Sequence, residues 1–156
     1  MDNFAVSEIM GSIEVDERLR YHEFVKTGQV IPQGDVNLHA VPDFSEQSLN
    51  DLAAKLSATW KTTVKLAGPG KKASSLQVVS GDTMGSRHCV SADTSAVVEM
   101  FEPAQGAHPL QGNMIRANGR YNLVHPEHGP HSIPEGHFVV IRQRDFATEQ
   151  MRAIAD

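Results

Sequence analysis

The segment HPEHGPHSIPEGHF, residues 125–138, holds four histidines, three prolines and two glycines in fourteen positions. Six of the eight histidines of the chain fall between His88 and His137. Imidazoles in such density could make a catalytic loop or a metal site, because zinc binds neutral imidazole and its sites use three or four such ligands at ~2.0–2.1 Å. His125 and His128 form a His-x-x-His pair around Glu127, and His88 and Cys89 could add ligands from a neighbouring strand. A zinc or iron site on His88, His125 and His128, with Glu127 as general base, is the enzymatic reading of these residues.

The same stretch has a plainer reading. Pro126, Pro130 and Pro134 restrict the backbone, and Gly129 and Gly136 permit unusual φ values, which suits a rigid connection between strands. Histidines there can satisfy carbonyls or face water. No HExxH or CxxC sets a metal geometry. Cys89 follows His88 directly, and adjacent strand residues point to opposite faces, so the two cannot form a thiol–imidazole couple. Cys89 with His125 or His128 remains open. GxSxG and GxxxxGK[ST] are absent from the chain. No paired carboxylates with a recognisable frame appear, so no catalytic residue is assigned.

The elements that position these residues follow from periodicity. Gly34–Val41 reads as a strand, with Val36, Leu38 and Ala40 on one face. Residues 45–60 read as an amphipathic helix: Leu49, Leu52, Ala53, Leu56 and Trp60 make the apolar stripe, Ser45 caps it, and Phe44 staples onto Leu49. Ala67–Ser75 reads as a flexible loop from its Gly, Pro, Lys and Ser content. Short strands follow: SLQVVS, GSRHCVS, SAVVEMF, NMIRA, RYNLVH and HFVVIRQR. Asn118-Gly119 is a two-residue hairpin signal, which predicts that NMIRA and RYNLV pair as an antiparallel hairpin. DFATEQMRAIAD reads as a short C-terminal helix.

Residues 1–33 carry loosely spaced apolar residues (Phe4, Val6, Ile9, Val15, Leu19, Phe24) interrupted by Gly11 and Gly28. They read as an N-terminal arm with short helical pieces, which must lie on the domain 34–156 or on a neighbouring subunit. The expected fold is α+β: a mostly antiparallel sheet, or a small barrel, with one packed helix.

Charge and composition exclude several function classes. The net charge is −5 and no basic stripe interleaves with aromatics, which argues against nucleic acid as main ligand. One cysteine allows no intrachain disulfide. The N-terminus lacks the basic start of a secretory signal, and no run approaches the ~18 apolar residues that span a bilayer.

Several pieces together resemble an uncharacterised family of small proteins found in tailed-phage and bacterial genomes. The pieces are Gly34-Asp35-Val36; the run from Gly81 to His88; His125-Pro126-Glu127-His128-Gly129-Pro130; Pro134-Glu135-Gly136-His137-Phe138; and Gln143-Arg144-Asp145-Phe146. The likeness covers about the last seventy residues and the Gly34 strand. Ser86 stands where the family has the first histidine of a His-x-His pair, so a metal centre on that pair would here keep His88, His125 and His128. The resemblance implies a phage or prophage setting and a β-rich core, and implies no chemistry.

These readings favour a structural or interaction protein: a phage virion component, capsid-associated or head–tail accessory, docking through its arm on virion proteins or on copies of itself. It would reside in the virion or the host cytoplasm. The alternatives are the small metal-dependent hydrolase and a phage-encoded protein-binding inhibitor.

Overall fold

A computed structural model describes residues 17–80, 87–92 and 95–143. The C-terminal helix expected after Asp145, the first sixteen residues of the arm and the Gly81–Ser86 run lie outside the described residues.

Ten strands and one helix are present among the described residues. The strands are β1 (Arg20–Tyr21), β2 (Val30–Gln33), β3 (Val36–Val41), β4 (Pro69–Lys72), β5 (Cys89–Ala92), β6 (Val98–Pro103), β7 (Gln111–Ala117), β8 (Tyr121–Val124), β9 (His131–Ile133) and β10 (Gly136–Arg142); the helix α1 spans Glu46–Trp60. They form two sheets, β2-β3-β10-β7-β6-β4 and β1-β9-β8-β5. All pairs are antiparallel except β1 with β9. The sheets do not close into a barrel; the fold is α+β and mostly β. No helix of the described residues is long and apolar enough to cross a membrane.

Three layers result. On one face of the six-stranded sheet, Val41, Met114, Val139 and Ile141 meet Leu49, Leu52 and Leu56 of α1, with Phe44 and Trp60 flanking. On its other face, Ile31, Leu38, Ile115, Phe138 and Val140 pack against Val90, Tyr121, Leu123 and Ile133 of the smaller sheet. The central strands are therefore buried on both faces, and their sequences read as near-continuous apolar runs. Each large side chain sunk into these layers contributes roughly 1.5–3 kcal/mol. Helix α1 starts where expected: the Ser45 hydroxyl accepts from the Ser48 N–H at 3.2 Å. Asp43 braces that turn by accepting from the Ser45 N–H and the Ser48 hydroxyl.

Three expectations are corrected. Asn118-Gly119 does not turn a hairpin, since β7 pairs with β6 and β10 while β8 pairs with β5 and β9 in the other sheet. Neither residue has the positive φ that the tight hairpin turn requires. Instead the Asn118 side chain accepts from the Val97 N–H, and the chain crosses between sheets there. Residues 69–72, read as loop, form an edge strand on β6. The part of the arm within the described residues contains strands rather than helical pieces: β1 joins the small sheet and β2 the large one.

Candidate functional site

Histidine, glutamine and aspartate side chains meet at the corner where the two sheets approach. The β2–β3 connection is a two-residue turn, Gly34-Asp35, because Gln33 pairs with Val36. Gly34 takes φ +56°, and a Cβ there would lie 2.5 Å from the His128 ring. Glycine is thus needed twice, for the left-handed backbone and for the approach of the imidazole. The turn presents Gln33 and Asp35 on either side of His88.

His88 precedes β5 and is 1% exposed. Its carbonyl accepts from the Val78 N–H, and Asn113 donates to the Gln77 carbonyl, so the 77–78 segment fastens it to β7. Gln33, 3% exposed, donates both protons of its amide, to the Leu123 and Gly129 carbonyls at 3.0 Å each. That fixes the amide orientation and turns its Oε1 toward His88 Nδ1, at 2.7 Å. His88 Nδ1 must therefore carry a proton and donate it. His88 Nε2 lies 2.8 Å from Asp35 Oδ1. One proton has to lie between that nitrogen and that oxygen, on either atom. Burial is the largest influence on the His88 imidazole and lowers its pKa; the Asp35 hydrogen bond opposes this, and His125 and His128 add to the lowering.

The other two histidines stack outward from His88. The His125 ring centroid is 4.3 Å from that of His88, and the His128 ring is 4.6 Å from His125. His125 Nδ1 accepts from the backbone N–H groups of Glu127 and His128, at 3.0 and 3.2 Å. Glu127 itself is exposed. Its part in the corner is made by its backbone, since its carbonyl also accepts from the Arg18 guanidinium.

The structure thus brings His88, His125 and His128 together, as the metal reading requires. Among the described residues, however, no group of three or more His, Cys, Asp or Glu side chains is arranged to hold an ion. The donors point elsewhere: both His88 nitrogens meet side-chain oxygens, and His125 Nδ1 meets its own loop. Cys89 pairs in register with Val124 on β8 and is half-buried, while its neighbour His88 takes the histidine stack. The remaining histidines of the rich segment are drawn away. His131 Nδ1 meets His22 Nε2 at 2.9 Å, and the His137 ring meets the edge of Phe44.

Gln33 and Asp35 were not singled out by sequence reasoning. Asp35 had a faint signal, as part of a Gly-Asp turn leading a strand. Gln33 had none, because its role depends on two carbonyls about ninety residues downstream.

The corner can hold and share a proton, and it locks the 125–130 loop to the β2–β3 turn. No curated protein and no solved structure matches the chain. A model for a domain of unknown function, DUF8820, matches residues 32–143, a span that contains Gln33, Asp35 and all three clustered histidines. The chain belongs to that uncharacterised family.

Proposed function

We propose that the chain is a structural, protein-binding component of a larger assembly. The setting implied by its resemblance is a phage particle or the host cytoplasm in which one is built. The observation that carries this reading is an ordered strap, residues 17–28, that displays large apolar side chains. Tyr21 is 65% and Phe24 66% exposed, and Leu19 is exposed beside them. The strap lies before the family span begins at residue 32. It is pinned in place: the Arg20 N–H donates to the Pro130 carbonyl and the His22 N–H to Ser132. Arg120 donates to the His22 and Glu23 carbonyls and lies 4.1 Å over the Tyr21 ring. Holding apolar residues out on a fixed backbone lowers the ordering cost of binding a partner, and such patches mark interaction sites.

Light scattering during size exclusion of the full chain tests this. The expected mass is a multiple of 17.0 kDa, falling to the single-chain mass in Leu19→Ser/Phe24→Ser. A single-chain mass at every concentration, with or without those substitutions, refutes self-assembly through the strap.

A second reading is favoured by the convergence of His125 and His128 on His88, whose Nε2 meets Asp35. On this reading a zinc or iron ion would take His88, His125 and His128, whose rings would have to turn from their present arrangement, with Gln33 orienting His88 from behind as outer ligands do. Elemental analysis of the purified protein decides it. Less than about a tenth of an equivalent of metal, unchanged in His128→Ala, removes this reading, as structural and catalytic sites hold metal tightly.

A further inference from the structure

A groove lies on the opposite side of the large sheet from the histidine corner, between α1 and the β2 edge. Two neighbouring open cavities, about 550 and 530 Å³, share Val30, His39, Leu56 and Thr59 in their linings. The size of each falls in the range of small-molecule sites. The cavity beside Lys55 is mainly apolar, with Val30, itself unusually exposed for a valine, lining it together with Leu52 and Leu56, while the other is more polar, with Asn37, Thr59 and Gln143 in its lining.

His39 lines both halves of the groove. It is 9% exposed, and its Nε2 has no hydrogen-bond partner. A buried polar nitrogen left unpaired is costly, and folded proteins rarely keep one without a use for it. At the groove mouth stands Lys55. Its ammonium rests against Gly28, where a Cβ would come within 3.0 Å of Nζ. It forms no ion pair with a described residue. The nearest lining carboxylate, Asp51, accepts from Gln47 instead.

We infer that this groove binds a small amphipathic carboxylate, with its apolar body between Val30 and Leu56 and its anionic head between Lys55 and His39. The walls match an alkyl or aryl chain. Lys55 supplies the charge complementarity that a neutral ligand would not need, and a turn of the His39 ring would bring its unpaired nitrogen, sealed from solvent as the ring now lies, to the head group. A charge-assisted bond is roughly twice as strong as a neutral one, so the head group decides affinity as well as orientation. This site is independent of the histidine corner; it takes Thr27 and Gly28 from the end of the strap but none of its exposed Leu19, Tyr21 and Phe24.

Decanoate is the probe, with decanol as its uncharged control. Trp60 lines one half of the groove and is the single tryptophan of the chain, so its emission reports occupancy. The full-length protein is titrated with each probe by tryptophan fluorescence and calorimetry. Decanoate is expected to bind with one-to-one stoichiometry and to shift the emission. Lys55→Met, a change at an exposed position, should weaken decanoate about tenfold, the loss of about one charged hydrogen bond, and leave decanol unchanged. Equal affinity for decanoate and decanol, or decanoate binding unaffected by Lys55→Met, overturns the proposal. So does failure of both probes to bind the full chain, which would mean that the groove is closed to small ligands.

Discussion

Replacing Gln33 by leucine tests whether the histidine corner is a load on the fold or a support of it. The substitution keeps the volume close and removes three hydrogen bonds at once. The Leu123 and Gly129 carbonyls lose their shared donor, and His88 Nδ1 loses its acceptor. Each buried orphan costs about 1–3 kcal/mol. The carbonyls sit at the low end because oxygen has a second lone pair, and His88 recovers part of its loss by moving its proton to Nε2 for Asp35. A net destabilisation of about 3 kcal/mol follows, a large share of the ~5–15 kcal/mol that holds a domain together. Urea denaturation followed by circular dichroism measures it directly. Nitrogen NMR of the His88 ring supplies an independent readout: the proton is expected on Nδ1 in the parent chain and on Nε2 in Gln33→Leu. A change in stability below about 0.5 kcal/mol, with the tautomer unaltered, would refute the reasoning that Gln33 organises this corner.

Three further outcomes are expected. Burial first, and then Lys55, pushes His39 down to about 4; burial and its neighbours His22 and Arg20 do the same to His131. Between an ordinary 6.5 and about 4 the unfolded chain takes up protons that the fold refuses. Stability is therefore full above pH 6.5 and falls as the pH drops toward 4, by up to ~1.4 kcal/mol per pH unit for each histidine. His39→Leu should flatten that slope in urea titrations run across the interval, and an identical slope would disprove the assignment. Tyr121 buries a hydroxyl that has no hydrogen-bond partner, so Tyr121→Phe should raise the melting temperature, by the equivalent of about 1 kcal/mol; a lowered one contradicts this. Leu52 sits between α1 and the large sheet, and Leu52→Asp should abolish the cooperative melt by burying an unpaired charge, a claim that an intact transition would overturn.

The helix was legible in the sequence because its stripe, its serine cap and its preceding Phe44 all agree on one register. The same holds for β3, whose alternating residues divide between the two cores. Asn118-Gly119 misled because a turn signal describes only local backbone. Whether the flanking strands pair with each other depends on β6, β10, β5 and β9, none of which is nearby in sequence. Pro69–Lys72 misled because an exposed edge strand and a loop share a composition of glycine, proline and lysine. At the histidine corner the residue types were legible and their meeting was not. His88 and His125 lie on strands and loops whose approach is set by the packing of two sheets. Asp35 and Gln33 enter only through the geometry of a two-residue turn.

The contact of His22 with His131 joins positions 109 apart in the chain, and the only parallel pairing among the described residues, β1 on β9, is made at the same place. The β1 segment therefore has no strand to pair with until a partner about a hundred residues further along the chain has joined the smaller sheet. Its docking is a late step whose loop-closure entropy is met only once the smaller sheet exists. The parallel pairing that fixes Tyr21 beside Phe24 thus exists only once the smaller sheet has formed, so the proposed recognition through these side chains would begin no earlier.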